Sequence, residues 1–225
     1  MIQQPSPNFN DRPAGIEIDM LVLHYTGMRT ANEALDRMCD PVAEVSAHYM
    51  IDEDGQVYQL VGEEKRAWHA GVSSWRGNSN INDRSIGIEL ANPGHEFGYR
   101  AFPAVQFNML VKLAKEILVR NSIPTRNTVG HSDIAPARKQ DPGELFDWAQ
   151  LASHGIGLWP TTILPQNTNE DYFSDFGLAL QTYGYDITDL TTTTRAFQRH
   201  FRPSLCNGQD DSETRKTLQA LLRKI

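Results

Sequence analysis

Ile16-Glu17-Ile18-Asp19-Met20-Leu21-Val22-Leu23-His24 is the stretch whose reading decides the fold. Ile16 to Leu23 is apolar and rich in β-prone residues, which predicts a buried strand. His24 follows directly, so a polar ring stands at the carboxyl end of a rigid element. Working outward, Thr30-Ala31-Asn32-Glu33 matches a capping box. A short helix is therefore expected to about Cys39, ahead of Pro41. His48 to Asp52 and Gln56 to Leu60 read as strands joined by the hairpin signal Glu53-Asp54-Gly55. Ser85 to Ala91 reads as a further strand. Pro103 opens a helix with Phe107, Leu110, Val111, Ala114 and Leu118 at helical spacing, ending near Asn121. Thr128 to Gly130 is a short strand, and Pro142 suits the first turn of another helix. Residues 1–14, with three prolines, read as an irregular arm. Strands followed by helices, with hairpins among them, indicate an α/β domain over 1–160: a mixed central β-sheet flanked by helices.

Beyond it, 161–170 is polar and rich in Pro, Thr and Asn, and reads as a linker. Residues 171–225 carry three helical patterns, about 172–183, 190–201 and 212–222, and form a small three-helix domain. Its size is near the lower limit for independent folding.

The 225 residues are 40% hydrophobic and 22% charged, ordinary values for a globular protein. A net charge of −7 argues against a nucleic-acid partner, which calls for a basic face. Two cysteines, Cys39 and Cys206, cannot build a disulfide framework. No apolar run approaches the roughly 20 residues of a membrane span. The first residues lack a basic and an apolar signal region, so a cytoplasmic location is expected, or a periplasmic one if a leader has been trimmed. A monomer is expected.

The chemistry concentrates in Gly130-His131-Ser132-Asp133-Ile134-Ala135-Pro136-Ala137-Arg138-Lys139-Gln140-Asp141-Pro142-Gly143. His131 follows a strand end, as His24 does, and Asp141 can fold back beside it. Two imidazoles and a carboxylate are the usual protein share of an open, catalytic zinc site. Water bound there loses its proton near neutral pH. Amide hydrolysis also needs a proton carrier and a cation for the oxyanion. Glu89 interrupts the apolar strand Ile86-Gly87-Ile88-Glu89-Leu90, where an unpaired charge is costly, so it is expected to face a cleft or a partner. Lys139, two residues before Asp141, can offer an ammonium to the developing oxyanion. The lesser alternative for Glu89 is a carboxylate on the solvent face of a half-exposed strand, whereas Lys139, without the other residues, reads first as an ordinary solvated loop lysine. Trp68-His69-Ala70-Gly71 suits a groove for a sugar or peptide, although tryptophan is more often core. His48 is expected to be structural, and His95, His154 and His200 have no supporting context.

These residues resemble the zinc-dependent N-acetylmuramoyl-L-alanine amidases of the AmpD/AmiD type, whose fold is shared with peptidoglycan-recognition proteins. The matching segments are Leu23-His24-Tyr25-Thr26, Ser46 to Ile51, Arg66 to Ser74, Asn82-Asp83, Ser85 to Leu90 and the 130–143 loop. They run in family order over roughly 15–150. The resemblance implies one zinc ion per chain on His24, His131 and Asp141, Glu89 as acid/base and Lys139 as transition-state cation. Substrate contacts are expected at Tyr25, Trp68, His69, Ala70, Asn82, Asn92 and Ser132. The tail resembles a three-helix peptidoglycan-binding domain through Tyr183-Gly184-Tyr185, Thr194 to Phe201 and Asp211 to Thr214. The implied partner is cell wall or its muropeptide fragments, in wall turnover or recycling. The alternatives are a recognition module that binds muropeptide without cutting it, and a phage-type lytic amidase acting on intact wall.

Overall fold

Met20 pairs with Ser85 and His24 with Glu89, so the first two site residues stand side by side on neighbouring parallel strands. The computed structural model describes residues 1–160 and 173–225. The expected 161–170 linker, and Tyr172 at the expected start of the first tail helix, lie outside the described residues.

The strands are β1 (Ile2–Gln3), β2 (Phe9–Asp11), β3 (Met20–Tyr25), β4 (Tyr49–Ile51), β5 (Val57–Gln59), β6 (Lys65–Ala67), β7 (Ser74–Trp75), β8 (Asn78–Ser79), β9 (Ser85–Leu90) and β10 (Thr128–Gly130). The α-helices are α1 (Ala31–Cys39), α2 (Gly94–Phe97), α3 (Ala104–Arg120), α4 (His131–Ile134), α5 (Trp148–Ser153), α6 (Phe176–Tyr183), α7 (Leu190–Phe201) and α8 (Ser212–Leu222). Six strands form one mixed sheet in the order β1-β5-β4-β9-β3-β10. The β4–β5 pair is the antiparallel hairpin, and the other pairs of this sheet are parallel.

Side chains alternate across a strand, and here the alternation divides the molecule. Leu21, Leu23, Ile86, Ile88 and Leu90 join Phe107, Leu110, Ala114 and Ile117 of α3 in one buried cluster. Met20 and Val22 join a second cluster with Trp75, Ile81, Val129 and Ile134. His24 and Glu89 belong by alternation to this second face. The same cluster takes in Phe176, Leu180, Tyr183, Tyr185, Phe197, Phe201, Leu218 and Leu221 of the tail. Three short helices bury little apolar surface by themselves; here they bury it against the sheet.

Several boundaries differ from the sequence expectation. The first central strand begins at Met20 rather than Ile16, because its partner begins at Ser85 and Ile16 is exposed. The arm over 1–14 contributes two short strands, β1 beside β5 and β2 beside β6. Asn8 anchors it by donating to the carbonyls of Asp40 and Val45 at 2.8 and 2.9 Å. Such long-range tethers have no local signature. Pro142 lies in a turn instead of a helix. Tyr99 Oη donates to the Pro142 carbonyl and accepts from Leu145 N–H, and the next helix waits for its cap at Asp147.

Candidate metal centre and catalytic pocket

Parallel strands present their carboxyl ends on one edge, where open α/β sheets place ligands. His24 is the fifth residue of β3, Glu89 the fifth of β9, and His131 follows β10. The segment 131–141 returns so that Ser132 N–H donates to the Asp141 carbonyl at 2.9 Å. Asp141 is thereby brought beside His131. The Nδ1 atoms of His24 and His131 are 2.9 Å apart, and each is 3.1 Å from Asp141 Oδ2. All three residues are buried, and their ligand atoms could hold one metal ion.

Hydrogen-bond direction shows that a cation fits this triangle. Ser85 Oγ donates to the Ile81 carbonyl at 2.7 Å, so it accepts from His69 Nε2–H at 3.1 Å. His69 Nδ1 is then an acceptor and takes the Nε2–H of His24 at 3.0 Å. His24 Nδ1 is left with a bare lone pair. His131 Nε2–H donates to the Ala70 carbonyl at 3.1 Å, which leaves His131 Nδ1 bare as well. Outer partners of this kind fix the tautomer of a ligating histidine. Two lone pairs and a carboxylate therefore converge, and zinc bonded at about 2.0–2.1 Å in a tetrahedron sets its ligands roughly 3.3 Å apart.

Electrostatics agree. Burial, then His131 beside it, pushes the His24 imidazole down to about 4, so it is neutral and ligand-competent near pH 7. Burial, followed by its histidine neighbours, holds His69 well below the ordinary value. Burial raises the Asp141 carboxyl, but positive charge brought to the His131 and His24 side of it more than offsets that, a demand a bound cation would meet. Burial, then the charge of Asp141, pushes Glu89 up to about 8. Glu89 Oε2 is enclosed and has no hydrogen-bond partner among the described residues.

A cavity of about 410 Å³ opens over the triangle, with Tyr25, His69, Glu89, His131, Lys139 and Asp141 among its walls. Lys139 acts through space on Glu89 and His24, lowering the pKa of each. The Tyr25 hydroxyl lies 2.8 Å from His95 Nδ1 at the rim. Trp68, Ala70, Asn82, Asn92 and Ser132 do not line this cavity. Ala70 offers its carbonyl to His131, and Asn82 Oδ1 accepts from the backbone N–H groups of His69 and Ala70. Trp68 Nε1–H donates to Asn10, and Asn92 Nδ2 to the Arg100 carbonyl.

The His69–Ser85 relay escaped the sequence reading. Its one signal is Gly87 in the middle of a strand, where a Cβ would stand 2.5 Å from the His69 ring. His48 is buried and structural: its Nδ1 accepts from Gly87 N–H at 3.0 Å, and its Nε2 lies 3.1 Å from the Lys65 carbonyl. Burial, then Arg12, lowers His48 from 6.5 to about 3. Its folded pKa is thus below its unfolded one, so the unfolded chain binds more protons between those values. Stability is complete above about pH 6.5 and drains as pH falls toward 3, by about 2 kcal/mol at pH 5 from His48 alone. Urea unfolding of chelator-treated protein at pH 7 and pH 5 checks this; equal midpoints would contradict it.

The family model described as Amidase_2, N-acetylmuramoyl-L-alanine amidase, matches residues 14–144. The N-acetylmuramoyl-L-alanine amidase AmiD of Escherichia coli K12 is 41% identical, over 92% of this chain and 83% of that protein. The 1,6-anhydro-N-acetylmuramyl-L-alanine amidase AmpD of Citrobacter freundii is 36% identical over 65% of this chain and 86% of its own length. Among solved structures, E. coli AmiD in complex with anhydro-N-acetylmuramic acid-L-Ala-D-gamma-Glu-L-Lys superposes with a TM-score of 0.81. That match, at 35% identity, covers 96% of this chain and 98% of the other.

Proposed function

Since the chain belongs to the N-acetylmuramoyl-L-alanine amidase family, and is an enzyme of that class, we propose that it hydrolyses muropeptides with one zinc ion held by His24, His131 and Asp141. The bond cut joins the lactyl carbonyl of N-acetylmuramic acid to the amine of L-alanine. The observation that carries this reading is the proton-free triangle of His24 Nδ1, His131 Nδ1 and Asp141 Oδ2, beside a cavity walled by Glu89, whose Oε2 has no partner among the described residues.

Zinc, when bound, supplies Lewis-acid polarisation of the scissile carbonyl and of the attacking water. Glu89 takes a proton from that water as its oxygen bonds to the carbonyl carbon. A carboxylate that burial pushes up to about 8 is a base matched to neutral pH. Lys139 presents its ammonium to the carbonyl oxygen as negative charge develops. Glu89 then returns the proton to the alanine nitrogen as the C–N bond breaks, releasing a carboxylic acid and an amine, which part in water as carboxylate and ammonium. The Tyr25 hydroxyl, which burial and then Asp141 push up to about 12, stays protonated and serves as a rim donor. His69, Ala70 and Asn82 serve the site by orienting His24 and His131. Trp68, Asn92 and Ser132 shape the segments around it.

The substrate class follows from the relatives, whose names and bound ligand are muramyl-L-alanine compounds, including the anhydro form. No helix among the described residues is long and apolar enough to cross a membrane. The test is incubation of zinc-loaded protein with an anhydro-muropeptide. The expected result is stoichiometric release of peptide with a free N-terminal alanine, abolished by a chelator and restored by zinc. Binding without release would instead identify a recognition module. Lys139→Met is expected to lower kcat roughly a hundred- to thousandfold, on the scale of an oxyanion contact, with little change in KM. Steady-state kinetics read this directly, and an unchanged kcat removes Lys139 from the mechanism.

A further inference from the structure

Asp133 lies in the same turn as His131, two residues on, and is fully buried. A buried carboxylate is tolerated only when its oxygens are satisfied. Oδ2 accepts from Gly130 N–H at 2.7 Å, the backbone group immediately before His131. The other partners come from the tail. Tyr185 Oη donates to Oδ1 at 2.6 Å, and His200 Nδ1 lies 2.7 Å from Oδ2. Tyr185 and His200 are themselves 2% and 3% exposed. The His200 ring is stacked between Trp148, with centroids 3.7 Å apart, and Phe201, at 3.8 Å, which fixes the plane of the ring. Arg76 N–H donates to the Gly184 carbonyl at 2.7 Å and holds the Tyr185 segment against the sheet domain.

We infer that the C-terminal helices are part of the metal-holding machinery: Tyr185 and His200 clamp Asp133 and thereby fix the turn that aims His131 at Asp141. This rests on the zinc reading above. His24 has its own relay through His69 and Ser85, and the His131 ring has the Ala70 carbonyl. The backbone that carries His131, however, is set by α4; Ser132 N–H ties its start to the Asp141 carbonyl, and Asp133 is the side chain that ties it to the tail. Without the tail donors, a fully buried carboxylate loses two of its three partners. It then either draws in water or shifts the turn, and a displacement of the ligand-bearing backbone loosens the metal. A second tail contact acts at the pocket rim, where Arg199 Nε lies 3.7 Å from Glu144 Oε2, which in turn accepts from His95.

Tyr185 and His200 are positioning residues, so the test reads metal retention rather than turnover. Full-length protein carrying Y185F and H200F keeps ring volume and stacking while removing both donors. Its zinc affinity, from competition with a chromophoric chelator, is expected to fall by up to about ten- to hundredfold, the scale seen for groups that orient metal ligands. Y185F alone, the milder change, is expected to give an intermediate loss. H200N, which keeps a donor near the Nδ1 position, is expected to hold most of the affinity that H200F loses. L221A removes core from α8 away from Asp133; it is expected to lower Tm and leave zinc affinity at the wild-type value. Wild-type affinity in Y185F/H200F, or equal zinc loss in L221A, overturns the clamp while leaving the zinc site intact. A wild-type chain that takes up no zinc overturns the metal reading, and this inference with it.

Discussion

Glu89→Gln is expected to lower amide hydrolysis by about a hundred- to ten-thousandfold while zinc content stays at one ion per chain. The magnitude is that of removing a positioned acid/base. The substitution keeps shape and volume, and Glu89 is not one of the three converging ligands. Its cost therefore falls on proton transfer alone, and kcat and kcat/KM are expected to drop together. Stability should move the other way. The carboxylate is desolvated, faces the negative Asp141, and leaves Oε2 without a partner among the described residues. Above about pH 8, where Glu89 is ionised, a neutral amide relieves that repulsion, so Tm there is expected to hold or rise, as happens where function maintains a strained group. The pH profile supplies an independent check. The acid limb of kcat/KM in the wild type reports protonation of the base, and in Glu89→Gln that limb is expected to vanish from the residual rate. Wild-type turnover in the variant would remove Glu89 from the chemistry.

Asp141→Ala is expected to weaken zinc binding by roughly a thousandfold or more, since in the proposed site it removes both a ligand and the negative charge that balances the ion. Activity falls with occupancy. Asp141 Oδ2 stands 3.1 Å from both imidazoles, and its loss leaves two lone pairs facing each other at 2.9 Å. The effect is separable from misfolding through linkage. Zinc at a thousandfold excess over its Kd stabilises a folded protein by about 4 kcal/mol. For a chain of this size that is roughly 8–16 °C in Tm. The wild type should show this rise on adding zinc and lose it with a chelator. Asp141→Ala should melt at one temperature under both conditions, close to that of the metal-free wild type. A zinc-dependent rise of wild-type size in the variant would exclude Asp141 as a ligand.

Much of the site was legible because its residues sit at the ends of apolar runs. His24 after Met20-Leu21-Val22-Leu23, Glu89 inside an Ile/Leu strand and His131 after Thr128-Val129-Gly130 are polar groups where burial is expected, a sign that tertiary structure has a use for them. The tail helices were equally legible: α7 spans Leu190–Phe201 and α8 Ser212–Leu222, as the spacing of their apolar residues indicated. Less legible was any function that depends on a partner distant in sequence. Ser85 reads as an ordinary strand residue until His69 is placed over Gly87. His200 had no context at all, because its partner, Asp133, is 67 residues away.

The sequence by itself determined which groups could do the chemistry and which elements carry them, because strand and helix periodicity and the ends of apolar runs are local properties. The tertiary structure decided which nitrogen of each histidine is bare, since that depends on carbonyls of Ile81 and Ala70 reached only through folding. It also decided that the tail helices share the face of the sheet that bears His24 and Glu89, and that their Tyr185 and His200 end on the turn of His131. Apolar faces specify that they must be covered, but not by what; packing across the sheet made that choice.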